Sequence, residues 1–331
     1  MEEYLKRDNP FSQIYKNVNN GSNQKKYEQF KRGKSNLLPS LIDIELTNLC
    51  NYKCCFCPTG TNAMQRIKGM MPDNVVDAII ENLNRYKIGG VRFIRWGEPT
   101  MHPKYLEIIE RVKKTGTLVH INTNGSRLDD KQIKKLLDIN LDSIKFSFQG
   151  ADEGTYNEIR ENGDYVQLLK TIRRFYELRA EKKLPFIQVS TTLTNETKDQ
   201  IESFKSDVGN ICDYVNIGYT VLNHLSVGQM NISNGQKKKI IELQKREVKQ
   251  RKYMKVCNEA FDKLSINWNG DITLCCSDYD NFMIVGNILD NDIKQIFNCR
   301  AADIYREIIA NGEYGKIKCC STCYEVIPLD K

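Results

Sequence analysis

Between Leu41 and about Val221 the chain alternates short β-branched runs with longer amphipathic stretches, and this alternation limits its fold more than any other feature. The spacing predicts strands at Ile42–Leu46, Val91–Arg95, Leu118–Thr123, Ser143–Phe148, Ile187–Leu193 and Tyr214–Thr220. Between them it predicts helices such as Asp73–Tyr86, Lys104–Lys114, Asp130–Asp138, Tyr165–Glu181 and Lys198–Ser206. In the first helix Val75, Ile79, Ile80 and Leu83 have the spacing of a buried stripe. Strands that are each followed by a helix imply a parallel sheet with right-handed crossovers. Such a sheet can curl into a full or partial barrel, with its active site at the C-terminal ends of the strands. The expected fold class is α/β, a partial (β/α)6 TIM-type barrel with a small C-terminal unit of hairpin, helix and cysteines.

That unit begins where the pattern changes. Lys237 to Lys255 is a lysine-rich helical stretch, and beyond it Lys263–Trp268 and Asp271–Leu274 flank Asn269-Gly270, a type I′ hairpin signal. A helix over Asp292–Asn311 and a cysteine-rich terminus follow. The expected division is a polar N-terminal lead at 1–38, the barrel at 39–235 and the cysteine unit at 236–331. No internal repeat is evident.

The polar N-terminus is neither a signal nor a transit peptide, and no apolar run approaches a membrane span, so a cytoplasmic protein without membrane association is expected. In a reducing compartment the 12 cysteines are not read as disulfides. Only Cys212 lies clearly between two groups at 50–57 and 257–323, and such clusters point to metal. The net charge of +7 concentrates in the N-terminal lead and the lysine-rich stretch. Those lysines read as a solvated helix face. With no recognition motif beside them, no nucleic-acid partner is expected.

Cys50, Cys54 and Cys57 form C-x3-C-x2-C just beyond the first predicted strand. Three thiolates on one loop can hold three corners of a cubane cluster and leave the fourth iron open. A structural zinc site would want a fourth ligand nearby. Cys55, adjacent to Cys54, is expected to point elsewhere.

This triad, with the aromatic Phe56 before its last cysteine, resembles the radical S-adenosylmethionine (SAM) superfamily. The resemblance continues at successive strand ends. Trp96-Gly97-Glu98-Pro99 is similar to the family's Gly-Gly-Glu-Pro segment, with Trp96 in place of the first glycine. Glu98 would meet the SAM amino group, and Gly97 would let the backbone approach the ligand. Asn122-Thr123-Asn124-Gly125 would contact the ribose or form an Asx turn. Ser147-Phe148-Gln149-Gly150 stands where relatives carry Ser-x-Asp-Gly, so Ser147 would reach the ribose or the SAM carboxylate. Arg160 matches the family's carboxylate-binding arginine, a role suited to a planar guanidinium. Phe56, Gly97, Glu98, Asn124, Ser147 and Arg160 are thus the expected SAM contacts, around a [4Fe-4S] cluster on Cys50, Cys54 and Cys57. His102 is read as a loop residue.

Cys257 and Cys275 bracket C-x12-G-x4-C, and Cys320 with Cys323 adds C-x2-C. This pattern resembles the SPASM and Twitch domains of radical SAM enzymes. With no cysteine after Cys323, it is closest to the one-cluster version. The resemblance implies a second, auxiliary [4Fe-4S] cluster on these four cysteines, although four thiolates also satisfy a structural zinc ion. Cys319 could replace Cys320, and Cys276 neighbours a presumed ligand. Cys212 and Cys299 read as small buried hydrophobes.

The resemblance implies reductive cleavage of SAM to a 5′-deoxyadenosyl radical that abstracts hydrogen from a substrate C–H. A reductant such as flavodoxin or ferredoxin would supply the electron. An auxiliary cluster with no open iron would accept an electron from the substrate radical. The leading expectation is oxidation of an alcohol of a carbohydrate or cyclitol. The alternative is epimerisation or oxidation of a ribosomal peptide or protein, disfavoured because about forty residues before the first strand cannot build a leader-recognition module.

Overall fold

The computed structural model describes residues 4–5, 7–19, 21–33, 36–193, 196–219, 222, 225–247, 256–321 and 323. Six strands run parallel in chain order. They are β1 (Leu41–Ile44), β2 (Gly90–Phe93), β3 (Leu118–Thr123), β4 (Ser143–Ser147), β5 (Phe186–Leu193) and β6 (Tyr214–Tyr219). Each is followed by a helix, as the alternation predicts. Asp73–Arg85 follows β1, Tyr105–Lys113 β2, Asp130–Asp138 β3, Tyr165–Arg179 β4, Lys198–Gly209 β5 and Asn234–Glu247 β6. Outward-facing strand residues such as Val91, Phe93, Ile121, Ile144, Phe146 and Val189 are fully buried beneath these helices. Hydrogen-bonding side chains start several helices: Asp129 and Thr197 each close a capping box, and Asp164 accepts from Gln167 N.

The sheet does not close on itself. One edge is β6, extended by the antiparallel pair Tyr4–Leu5; at the other, β1 continues into the C-terminal unit. There β7 (Lys263–Ile266) pairs parallel to β1, with Lys263 opposite Leu41, and β8 (Asp271–Thr273) and β9 (Ile284–Asn287) add antiparallel. One ten-stranded sheet therefore carries both cysteine groups. An open, curled sheet of this kind is the expected partial barrel.

The N-terminal lead forms two helices, Ser12–Asn19 and Ser22–Lys31, against the barrel's lower end. Phe11 is buried against Gly90 and packs edge-on to His120. Arg7 donates to Asp213 at 2.7 Å, and Arg179 binds the same carboxylate.

Two local expectations need correction. Residues 267–271 do not form a two-residue type I′ loop, because only Gly270 has positive φ, at 88°. Asn267 N bonds Asp271 O and Gly270 N bonds Asn267 O, so the loop is a turn closed by a glycine bulge. The helix expected over Asp292–Asn311 is two, Ile293–Phe297 and Arg300–Ala310. Asn298 spends its side chain on Leu37 and Lys294 carbonyls, and the Cys299 thiol caps the second helix at Ala302 N. The part of the lysine-rich stretch at 248–255 lies outside the described residues. Among those described, no helix is long and apolar enough to cross a membrane.

Candidate active site and cysteine centres

The triad sits on the loop leaving β1, above the C-terminal ends of the strands. Lys53–Cys54 forms a two-residue antiparallel pair with Arg160–Glu161, which places Arg160 directly opposite Cys54. Cys57 N bonds back to Cys54 O, and Cys50 Sγ accepts from Tyr52 N at 3.4 Å. Cys50, Cys54 and Cys57 line one cavity of about 190 Å³, and Phe56, Gly97, Glu98, Asn124, Ser147 and Arg160 line it with them. Every residue expected at the first site therefore borders one space. Cys55 turns away into a separate apolar cluster with Ile159, Leu222, Met230 and Ile240, the last from the helix that follows β6.

Burial pushes the Cys50 thiol up to about 12 and the Cys54 thiol up to about 11, while Arg160 pulls Cys54 the other way. In the metal-free protein these groups hold protons, which a bound metal centre would displace. Arg160 donates to Phe148 O at 3.3 Å and lies over the Tyr156 ring. Its buried Nε has no hydrogen-bond partner among the described residues. Three convergent thiols with an unsatisfied guanidinium nitrogen fit a cluster with an open position and an anionic ligand beside it.

Glu98 is 3% exposed, and its oxygens accept from Thr100 N, Thr100 Oγ1, Thr123 Oγ1 and Asn124 N. Burial pushes its carboxyl up, and these hydrogen bonds oppose that. Glu98 thus caps the turn at Pro99–Met101 and ties the ends of β2 and β3 together. Asn124 Oδ1 accepts from Ser126 N and Oγ, and its Nδ2 donates to Asn51, which is the Asx-turn arrangement. The fold itself also requires glycine at 97. A Cβ there would lie 2.0 Å from Thr47 O, so the residue is glycine because the triad loop packs on its backbone. His102 is buried, with Nε2 2.9 Å from Met71 O, and serves as a loop anchor.

The second group surrounds a nearly filled cavity of about 40 Å³. Cys257 precedes the short helix Asn258–Asp262, Cys275 follows β8, and Cys320 and Cys323 come from the terminal turn. Cys276 and Cys319 line the same space, making six thiols where four were expected. Hydrogen bonding to Cys275 and Cys320 raises the Cys319 pKa, so Cys319 stands beside both of them. Cys212 is buried in the barrel core. Cys299 donates to Val285 O besides capping its helix.

Residues that pattern-reading missed join the two centres. Arg95 donates to Cys275 O at 3.3 Å and Asp278 O at 2.8 Å, from a left-handed backbone at φ 124°. Arg66 forks onto Glu45 at 2.8 and 2.7 Å and donates to Tyr279 O. Trp96 packs edge-on against Tyr279. The available signal was a second arginine in one short strand run, Arg95 after Arg92 and immediately before Trp96.

The model of the radical SAM superfamily matches residues 44–208, the span that supplies the triad and every strand end around it. The chain belongs to the radical SAM superfamily. A second match, to the SPASM iron–sulfur cluster-binding domain, covers residues 257–324. The two radical SAM elements together support iron–sulfur clusters at both cysteine groups and SAM binding. The chain is 26% identical over 163 residues to the tungsten-containing aldehyde ferredoxin oxidoreductase cofactor-modifying protein of Pyrococcus furiosus, covering 48% of this chain and 45% of that one. It thus spans under half the length of that curated relative. Its fold is that of Streptococcus suis SuiB bound to the precursor peptide SuiA, with TM-score 0.64 and 15% identity, over 95% of this chain and 76% of the other. BtrN in complex with AdoMet and 2-DOIA gives TM-score 0.56 and 17% identity, over 87% and 94%.

Proposed function

We propose that the protein is a radical SAM oxidoreductase that modifies a peptide or protein substrate. In this reading Cys50, Cys54 and Cys57 hold the SAM-binding cluster. Cys257, Cys275 and Cys323, with Cys320 or the adjacent Cys319, hold the auxiliary cluster. The observation that carries it is the convergence of three thiols, the orphaned Arg160 Nε and the polar strand ends on one cavity. When bound, SAM and its cluster supply a 5′-deoxyadenosyl radical that takes a hydrogen atom from a substrate C–H.

The chain's own residues do the positioning. Arg160 offers a planar donor to the SAM carboxylate. Glu98, with its oxygens bonded to two strand ends, fixes the wall on which an ammonium would rest. Arg95, which lines the first cavity, and Arg66 donate to the carbonyls of Cys275, Asp278 and Tyr279, and so tie the segment that carries Cys275 to the first site. The electron that starts the reaction comes from an external reductant such as flavodoxin or ferredoxin.

The peptide reading is supported by the likeness to SuiB in its peptide complex, which extends over 95% of this chain. A second reading, oxidation of a carbohydrate or cyclitol alcohol, is favoured by the likeness to BtrN, of which 94% is covered. Anaerobic reconstitution followed by a screen of deuterated peptides and sugars tests both. Deuterium in 5′-deoxyadenosine from a peptide supports the first reading, transfer only from sugars supports the second, and absence of SAM cleavage overturns the enzyme assignment.

A further inference from the structure

Beneath the triad, between the barrel strands and the N-terminal lead, lies a second cavity of about 510 Å³, which Asp8 and Lys16 also line and which shares Ile94 and Asn122 with the cavity above. Side chains alternate along a strand, so Lys145 and Ser147 of β4 face the same interior. Ser147 borders the triad cavity, and Lys145 lies two residues, about 7 Å, below it. The sheet register puts Asn122, Lys145 and Gln188 side by side on three adjacent strands. All three line the cavity.

The row contains one cation, the ammonium of Lys145. The neighbouring Arg92 is neutralised, because its guanidinium forks onto Asp43 at 2.6 and 2.7 Å. His120 is pushed down to about 3 by burial, so it is neutral and donates from Nε2 to Asn122 Oδ1 at 2.6 Å. That bond leaves the two Asn122 Nδ2 hydrogens available. Lys145 has no hydrogen bond or ion pair among the described residues, and Gln188 has none either. Burial and the Arg92 charge lower the Lys145 pKa to about 8 against the opposing pull of Asp43, which leaves it an ammonium at pH 7. A half-buried ammonium that opens on a cavity without a hydrogen-bonded partner gains from a ligand that supplies one.

We propose that the lumen is a carboxylate-binding subsite, in which Lys145, with Asn122 and Gln188, receives an acidic group of the substrate. This rests on the proposed radical SAM reading, since it names the part of the substrate that anchors below the reacting C–H. The carboxylate belongs either to an acidic side chain of a peptide or to a small acid such as an aldonic acid.

The test is titration calorimetry at pH 7 with the full chain, cluster-reconstituted and SAM-bound. The probes are D-gluconate and a short capped peptide with one glutamate, each beside its neutral amide counterpart. At least one acid is expected to bind about tenfold or more tightly than its amide, as a hydrogen-bonded ion pair in a buried site should. Lys145→Met should erase that preference and Lys145→Arg should keep most of it. The acid that binds identifies the source. Failure of both acids to bind, equal affinity for acid and amide, or an unaltered preference in a folded Lys145→Met protein overturns the subsite. SAM cleavage assayed on the same samples separates the outcomes, because its loss strikes the enzyme reading whereas its persistence without acid binding strikes only this one.

Discussion

The two cysteine regions use the same side chain in opposite surroundings. The first gathers three thiols on one loop at the rim of a polar cavity of about 190 Å³, with Arg160 lining the same space. The second surrounds about 40 Å³ with six thiols from a helix start, a strand end and a terminal turn. An open rim leaves room for a ligand that must react, whereas a closed shell suits a centre that only accepts or passes an electron. The difference lies in how many chain segments contribute, not in the cysteines.

The most severe break in that comparison is removal of a triad thiol. Cys50→Ala, Cys54→Ala or Cys57→Ala should abolish SAM cleavage and halve the iron from about eight atoms to about four. Cys55→Ala, altering a side chain in a separate apolar cluster, should leave cleavage largely intact. Iron analysis and 5′-deoxyadenosine production check both, and equal loss in all four variants would place the ligands elsewhere.

Removing a thiol from the closed site should separate cleavage from product. Cys275→Ala or Cys323→Ala is expected to keep some 5′-deoxyadenosine formation while suppressing oxidised product. Circular dichroism on the same samples guards against unfolding, because a metal-dependent unit can lose its fold with its ligand. A folded variant that still turns over substrate normally would make the second centre structural.

Two smaller changes probe the frame. Gly97→Ala forces a methyl group to within 2.0 Å of Thr47 O and should lower stability by about 1–3 kcal/mol, read by denaturant unfolding. Arg95→Ala removes the donors to Cys275 O and Asp278 O. Its expected effect is the mildest: under limited chelation the second site should lose iron sooner than in the parent protein, while the first keeps its own rate. Identical rates at both sites would show that Arg95 does not couple them.

Much of the barrel was legible because its signals are local. Alternation of strand and helix marks each βα unit within a short stretch of chain, and the triad and strand-end motifs follow the strands that carry them. The helix break at Asn298-Cys299 was less visible, since the apolar spacing runs on through it and only side-chain caps end one helix and start the next. The glycine bulge at 270 was similarly hidden behind an Asn-Gly pair that serves more than one turn type.

By itself, then, the sequence determined a parallel α/β sheet, a triad at the end of its first strand and a second set of cysteines, because periodicity and spacing act between near neighbours. Tertiary structure alone decided that β7 joins β1 across more than two hundred residues, making one sheet of both parts. It also decided that Cys276 and Cys319 share the closed cavity, that Arg95 bridges the two centres, and that Lys145 faces the lumen with no hydrogen-bonded side-chain partner among the described residues. Each depends on which distant group satisfies a strand edge, a carbonyl or a charge, and that is fixed by packing in three dimensions.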